Sequence, residues 1–190
     1  MALSEWHQWT APTGDLRELY LTSQYKYEGM RCLYVDADEH FLIHNQTLED
    51  NPVSGAVKTA FLGVDGYSYF VGHVFKYVKD GNALVVGVYG YPNDIVCIEV
   101  YNYTDGIYDS IHYTETDVVV APETWYISEV ICDDPNNQIT VRIKDADENV
   151  LYETTIGNII PSDKKGVSGG IGLEFWAEKT YVDLTKLYYP

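Results

Sequence analysis

Short segments of alternating apolar and polar residues constrain this chain more than any other feature. Ten of them, separated by turn residues at intervals of roughly 8–12 positions, follow one another between residues 31 and 189. The intervening turns carry Asp-Gly-Asn at 80–82, Pro-Asn-Asp at 92–94 and Asp-Pro-Asn-Asn at 134–137. Parallel strands need long crossover connections, and helical patterning is almost absent. The pattern therefore predicts an all-β fold, an antiparallel β-sandwich of jelly-roll type.

The domain organisation is predicted to be simple. The chain has 190 residues, which suits one domain, and no linker or change of composition divides it. We expect residues 1–20 to form an N-terminal arm or edge strand, and residues 21–190 to form a single β-sandwich domain. The segment Asp15–Gln24 is the one stretch with a helical pattern, and a short helix is predicted there.

Net charge limits the classes of partner. The formal charge is −17, from 29 acidic and 12 basic residues. Binding to nucleic-acid phosphates needs the opposite sign, so nucleic acid is not expected as a partner. No apolar run approaches the roughly 20 residues of a spanning helix, so no membrane insertion is expected. The first residues, MALSEWHQWTAPTGDL, lack the basic and apolar regions of a signal peptide.

Acidic and cysteine motifs give little support for a metal. DADEH at 36–40 and DADEN at 145–149 begin like calcium loops but lack the glycine and glutamate of an EF-hand. The second segment instead predicts a hairpin turn. Cys32, Cys97 and Cys132 have no zinc-ligand spacing and are interpreted as small buried apolar residues, with one disulfide and one free thiol as the alternative. No cofactor is expected, with a structural calcium ion as the alternative.

Catalytic signatures are absent from the sequence. There is no G-x-S-x-G, phosphate-binding or dinucleotide-binding motif, and the histidines do not form HExxH. A glycosidase needs two carboxylates at a fixed separation, and no strand carries the Glu-x-Asp-x-x-Glu run that is common on β-sandwiches. A pair from two strands, Glu99 with Glu174, is kept as an alternative. The sequence therefore predicts a protein without catalytic activity.

Alternation along four strands assigns their residues to two faces. The apolar face consists of Leu84, Val86, Val88, Val96, Ile98, Val100, Ile139, Val141, Ile143, Ile171, Leu173 and Phe175. If the strands share one sheet, the pattern predicts that the other face is a ligand-binding or interface surface. Its residues are Tyr89, Tyr91, Glu99, Tyr101, Tyr103, Arg142, Glu174 and Trp176. Such residues suit stacking on sugar rings, a protein interface, or a face that is covered by loops.

The last segment, residues 170–189, predicts two strands separated by a short hinge. Alternation places Glu174 and Trp176 opposite the core residues of the first of these strands. The second strand carries Tyr181, Tyr188 and Tyr189, which we expect to help close the sandwich.

Three longer segments resemble one family. SQYKYEGMRCLYVDA (23–37) looks like a first core strand, ETWYISEVICDDPNNQITVRIKDADENVLYETT (123–155) resembles a central hairpin, and GGIGLEFWAEKTYVDLTKLYY (169–189) resembles a closing strand pair. Their order over residues 20–190 is similar to that in concanavalin A-like lectin/glucanase domains, including laminin-G-like ones. The resemblance implies a jelly-roll sandwich that serves as a glycosidase, lectin, carbohydrate-binding module, adhesin or virion surface part.

The family's functional residues match only in part. The catalytic carboxylate cluster of the glucanases and the acidic metal signature of legume-type lectins have no counterpart here. Asp183 stands where some relatives have an Asp followed by Asn, and it is the candidate metal ligand that the resemblance implies. Leu184 follows it in this chain, which weakens the transfer of a calcium site.

These observations give three hypotheses. The first is a non-catalytic virion protein, structural or for attachment (spike or capsid-associated), that assembles with other protein subunits into an oligomer and also contacts glycans. A virion would bring a protein made without an export signal to the outside. The second is a carbohydrate-binding module of a secreted protein, and the third is a glycoside hydrolase. The expected location is a virion or extracellular surface.

Overall fold

The computed structural model describes residues 3–25, 27 and 32–190. In this part of the chain a 3-10 turn at Leu3–Glu5 and a short helix, α1 at Asn45–Asp50, accompany eleven strands. The strands are β1 (Trp6–Thr22), β2 (Cys32–His44), β3 (Gly55–Gly63), β4 (Tyr69–Lys79), β5 (Asn82–Gly90), β6 (Ile95–Thr104), β7 (Ile107–Val119), β8 (Trp125–Asp133), β9 (Gln138–Asp145), β10 (Val150–Gly157) and β11 (Gly170–Tyr188). No helix within the described ranges is long and apolar enough to cross a membrane.

The strands form two antiparallel sheets that pack as a β-sandwich of jelly-roll type, which confirms the predicted fold class. Sheet I has the order β10-β9-β8-β3, followed by the last part of β11 and the first part of β2. Sheet II has the order β7-β6-β5-β4, followed by the first part of β11 and the last part of β2. β1 pairs with β2 along most of its length, so three long strands contribute to both sheets.

β11 is one continuous strand of 19 residues, so the prediction of two strands with a hinge is wrong. Its first part pairs with β4 through residues such as Leu173, and its last part pairs with β3 from Thr180 onward. Register shifts against β2 occur between Phe175 and Thr180. Bulges of this kind bend a strand without ending it, which lets β11 pass from sheet II to sheet I.

The inner faces of the two sheets form the main core. All twelve residues of the predicted apolar face are buried, each at most 2% exposed, which confirms that assignment. A polar contact within the core joins the two sheets: Nε2 of His73 on β4 accepts a hydrogen bond from the Ser128 hydroxyl on β8 at 2.9 Å. Nδ1 of His73 donates to the Val86 carbonyl at 3.2 Å, and burial lowers the pKa of His73 to about 4. The buried imidazole is therefore neutral and ties the two sheets together.

β1 occupies the segment where a helix was predicted at Asp15–Gln24, and that prediction is wrong. Leu19 and Leu21 pack against the core, whereas Tyr20 faces outward with its ring centroid 4.9 Å from that of Tyr34. Pairing with β2 outweighs a local helical preference, which is a small energy per residue. In the described part of the chain β1 pairs with β2 alone, and it continues without a break through position 20.

Candidate ligand-binding site

The outer face of sheet II carries most of the predicted surface residues. The strand register places Glu174 on β11, Gly72 on β4, Gly87 on β5 and Glu99 on β6 in one row across the sheet. Neighbouring strands lie about 4.8 Å apart, so the Cα atoms of the two glutamates are about 14 Å from each other. Because glycine has no side chain, the middle of the row is a trough between two carboxylates.

Phe70 fills this trough. A Cβ atom at Gly87 would lie 2.8 Å from two carbons of the Phe70 ring, and one at Gly72 would lie 3.0 Å from a third. Real Cβ atoms do not approach a ring that closely, so only glycine at both positions lets the ring lie against the sheet. The buried Phe70 ring thereby becomes part of the floor of a cleft.

The cleft above Phe70 has a volume of about 360 Å³. Its walls include Tyr89, Tyr91, Tyr108 and Trp176. Tyr91 is 56% exposed and Trp176 is 43% exposed. The Trp176 ring centroid lies 6.3 Å from that of Phe70 and 6.2 Å from that of Tyr108. Several aromatic rings thus face one solvent-accessible space.

Glu99 supplies the charge of the cleft. Its carboxylate accepts hydrogen bonds from the hydroxyls of Tyr89 at 3.1 Å, of Tyr108 and of Ser110. Burial, followed by the hydrogen bond to Glu99, raises the pKa of Tyr108 to about 12. Burial and the charge of Glu99 likewise raise the pKa of Tyr89. Both phenols are therefore neutral donors at physiological pH, and they hold the carboxylate in place.

Three of the predicted surface residues are buried beside the cleft. Tyr101 and Tyr103 are each 1% exposed and Glu174 is 0% exposed, so the prediction of exposure is wrong for them. Both tyrosine hydroxyls donate to Glu174, that of Tyr103 at 3.3 Å. The small partners of these tyrosines on β5, Ala83 and Val85, leave room for large rings to pack into a second apolar cluster on this face.

Arg142 lies on the outer face of sheet I, away from the other predicted residues. Its strand, β9, belongs to the opposite sheet, so the condition that all four strands share one sheet is not met. There its guanidinium forms ion pairs with Glu129, at 3.2 Å, and with Glu153. Alternation assigns a residue to a face of its strand, but it does not say to which sheet the strand belongs.

Several residues of the cleft were missed in the sequence, and Tyr108 and Phe70 are the two that shape it most. Tyr108 lies on β7, which was not among the predicted strands. The turn Thr104-Asp105-Gly106, followed by β-branched and aromatic residues, was the signal for a hairpin return. Phe70 lies on a predicted strand, but only the register shows that it stands opposite Tyr89 above the glycines.

A second cleft, of about 390 Å³, adjoins the first and shares the wall formed by Tyr89 and Tyr91. Asp94, Tyr113 and Glu115 are among its lining residues. The Tyr113 hydroxyl donates to Glu115 at 3.1 Å. The two clefts are thus neighbours, and both have aromatic and acidic lining residues.

The two glutamates of the row do not both line the cleft. Catalytic carboxyl groups of glycosidases lie roughly 5–10 Å apart on either side of the scissile bond. Here the Phe70 ring lies over the glycines between them, and Glu174 is buried beneath tyrosine rings. Glu99 alone of the two lines the cleft.

No group of three or more His, Cys, Asp or Glu side chains within the described residues is placed to hold a metal ion. The Asp183 carboxylate accepts a hydrogen bond from the Tyr27 N–H at 3.1 Å, and calcium there stays a prediction. The segment at 145–149 is a hairpin turn, as predicted, in which Asp145 accepts N–H groups of its own loop from Asp147 and Asn149.

The cysteine alternative of one disulfide is wrong, because all three cysteines are free. Cys32 and Cys132 are buried, in agreement with their interpretation as small apolar residues, and burial raises the pKa of each thiol. Cys97 is partly exposed in the second cleft, with its Sγ 3.3 Å from the Tyr113 hydroxyl oxygen.

No family model matches this chain, and no curated protein matches its sequence. Solved structures do match. The carbohydrate-binding module CBM66 from Bacillus subtilis has a TM-score of 0.61 at 10% identity, over 94% of this chain and 96% of that chain. The enzymatically active domain of tailspike protein 2 from bacteriophage CBA120 has a TM-score of 0.63 at 11% identity, over 95% of this chain but only 29% of that chain.

A third match is a protein of unknown function from Shewanella oneidensis MR-1. Its TM-score is 0.56 at 10% identity, over 98% of this chain and 79% of that chain. Identities this low show similarity of fold and carry no ligand with them. The chain thus shares its antiparallel β-sandwich fold with a carbohydrate-binding module and with part of a phage tailspike.

Proposed function

We propose that this protein is a non-catalytic recognition module that binds carbohydrate through the aromatic cleft of sheet II. The observation that carries the proposal is the cleft itself, which Phe70, Tyr108 and Trp176 line together with the fixed carboxylate of Glu99. Sugar rings offer C–H faces that stack on aromatic rings, and their hydroxyls need polar partners. A mainly apolar cleft with a few placed polar groups meets both needs.

The shape of the site favours a sugar over a protein as the ligand of this face. Small-molecule sites are concave and typically measure about 300–1,000 Å³, a range that includes this cleft. Stable protein interfaces bury about 800 Å² on each partner, with their aromatic anchors in a broad contact surface. Here Tyr101 and Tyr103, which would have widened such a surface, are buried.

The absence of catalysis is part of the same proposal. It is supported by the register, which separates Glu99 from Glu174 by two intervening strands and places only Glu99 in the cleft. A carboxylate fixed by three hydroxyl donors suits a ligand-orienting role.

We also propose a location on a virion, where the module would assemble with other protein subunits. The fold similarity to a domain of a phage tailspike supports this hypothesis. The similarity to CBM66 supports the alternative of a carbohydrate-binding module of a secreted protein. Kinship with the concanavalin A-like family is proposed on the motif order over residues 20–190. Light scattering separates the two locations: a defined oligomer that persists on dilution favours the virion, and a strict monomer argues against it.

Replacing Trp176 by Ala tests the carbohydrate-binding proposal. We expect the unaltered protein to bind members of a glycan array, and Trp176→Ala to lose roughly tenfold or more in affinity, about 1.4 kcal/mol. The loss follows from removal of a stacking wall, and the partial exposure of Trp176 predicts little change in unfolding temperature. Tyr91→Ala, at the most exposed wall of the cleft, should weaken binding in the same direction.

The matched control is Val150→Ala, at an exposed apolar residue on β10 in the opposite sheet. It should leave glycan binding unchanged. An array without hits for the folded protein would contradict the proposal, and so would full binding by both cleft variants.

A further inference from the structure

We infer that the cleft prefers sugars that carry a free, protonated amino group over neutral and anionic sugars. This inference rests on the proposed carbohydrate-binding function and adds the charge of the ligand to it. Glucosamine and its oligomers are the simplest representatives of the class.

Glu99 is the charged residue of this cleft. A carboxylate has about four acceptor positions. Tyr108 and Ser110 donate to its Oε1, and Tyr89 donates to its Oε2, which leaves one position on Oε2. All three donors are neutral, and within the described residues Glu99 takes part in none of the ion pairs. Its negative charge therefore remains to be balanced by a ligand, and an ammonium group is the donor that gains most from it.

Aromatic rings line the cleft around this carboxylate. A cation within about 6 Å of an aromatic centroid is attracted to the ring face, and tryptophan attracts it best. Tyr108 donates its hydroxyl to Glu99, while its ring lies 6.2 Å from that of Trp176 in a T-shaped arrangement. The same aromatic walls that stack on a sugar would thus stabilise a positive charge on it.

The residues around the cleft carry negative charge. Among the described residues that line the two adjoining clefts there is no Lys, Arg or His, whereas Glu99, Asp94 and Glu115 are present. Lys179, close in sequence to Trp176, places its Nζ 3.9 Å from the centre of the Tyr67 ring, so it already has an aromatic partner. With a net charge of −17 on the whole chain, an anionic sugar is repelled once it comes within about 10 Å, the range over which salt leaves charges unscreened.

The test is calorimetric titration with three tetramers: glucosamine, N-acetylglucosamine and galacturonic acid. The titration is carried out at about pH 5, where the amines of the first tetramer are protonated. We expect the glucosamine tetramer to bind roughly tenfold more tightly than the N-acetylglucosamine tetramer, and the galacturonic acid tetramer to bind least. In Glu99→Gln the advantage of the glucosamine tetramer should fall to less than about twofold.

Glu153→Gln is the matched control. It removes one negative charge from the outer face of sheet I, far from the cleft in the strand order. It should leave the preference intact, whereas general attraction of a cation to an acidic protein would be reduced equally by either substitution. If Glu99→Gln lowers the unfolding temperature, its binding data are set aside. The relative affinities of the three tetramers for the unaltered protein then decide whether the preference exists.

The outcomes separate the inference from the proposed function. Equal binding of the glucosamine and N-acetylglucosamine tetramers, or tighter binding of galacturonic acid, overturns the inference but leaves a carbohydrate-binding cleft. Equal losses in Glu99→Gln and Glu153→Gln also overturn it. Absence of binding by all three tetramers, together with an empty glycan array, overturns both.

Discussion

Each outer face of the sandwich carries a row of residues with two glutamates, and the two rows differ in what accompanies them. On sheet I the register gives Glu153, Arg142, Glu129 and Lys58 on β10, β9, β8 and β3. On sheet II the corresponding row places two glycines between its glutamates. On sheet I, neighbouring opposite charges neutralise each other. On sheet II, the glycines open a trough, and the Glu99 carboxylate beside it accepts from neutral hydroxyl donors.

The consequence of this difference is chemical. On sheet I the charges are already paired, with Lys144 Nζ 2.8 Å from Glu129 and Lys58 Nζ 2.6 Å from Glu148. A ligand would have to break those contacts before making its own. On sheet II the carboxylate of Glu99 is oriented by hydroxyls and its charge is unpaired by any cation in the described part of the chain. The glutamates of sheet I are thus ion-paired surface residues, whereas we propose that Glu99 on sheet II is a recognition residue.

The largest effect on the difference between the two faces is expected when the trough is filled, with Gly87→Ala. The added Cβ would lie 2.8 Å from the Phe70 ring, so the ring must move out of the floor of the cleft. We expect a loss of about 1–3 kcal/mol in the free energy of unfolding, as for other overpacked sites, together with loss of glycan binding. Urea denaturation measures the first effect and the glycan array measures the second.

Thr155→Ala, on the exposed outer face of sheet I, is the control for Gly87→Ala. It should change the free energy of unfolding by no more than about 0.5 kcal/mol. If Gly87→Ala were equally harmless and bound glycans normally, the trough would have no role in shaping the cleft.

The stabilising contributions of the two faces should also be lost at opposite ends of the pH scale. The folded pKa of Tyr108 is raised from 10.0 to about 12, so its contribution to stability is complete below pH 10 and is lost as the pH rises towards 12. Burial alone would raise the pKa of Glu129, but hydrogen bonds from Lys144 and Arg142 lower it below 4.5. Its contribution is present above pH 4.5 and is lost as the pH falls through the folded pKa.

Urea denaturation across the pH range tests this pattern in two variants. Tyr108→Phe should make the free energy of unfolding fall less between neutral and alkaline pH, without changing its fall in acid. Glu129→Gln should make it fall less between neutral and acid pH, without changing its fall in alkali. Changes on the same side in both variants would show that the two faces do not differ in this way.

The smallest effect is expected from Arg142→Gln. Its ion pairs are partly exposed to solvent, and such pairs are worth about 1 kcal/mol or less. We expect the midpoint of urea denaturation to shift only slightly, and the shift to shrink further in high salt because of screening. A loss above about 2 kcal/mol would mean that the charged row of sheet I is a structural element rather than a solvated surface.

Much of the fold could be read from the sequence, because alternation reports the inward face of each strand directly. Val86, Ile98 and Val141 are buried as that pattern predicts. The helix predicted at Asp15–Gln24 shows what a local residue pattern leaves out. A helical preference of a few tenths of a kcal/mol per residue does not reveal that β2 pairs with this segment.

The candidate site was harder to predict because its depth depends on register. Tyr101 and Trp176 were both correctly assigned to an outward face, yet one is buried and the other lines a cleft. The decisive residues are Gly72 and Gly87, which face each other on neighbouring strands. Alternation within one strand says nothing about its partners in the sheet, so neither the trough nor the distance of Arg142 from it could be foreseen.

The strand β11 has a consequence for how the protein is made. Its last part pairs with β3 and its first part pairs with β4. Those two strands are made early and follow each other in the chain, but each needs residues 170–188 as its partner. Ribosomes add about 5–20 residues per second, so the facing edges of β3 and β4 stay open for about 5 to 20 seconds after β4 emerges. Open strand edges invite pairing with other chains. Nascent copies of this protein on one messenger should therefore depend on chaperones, or on wide ribosome spacing, to avoid pairing with each other.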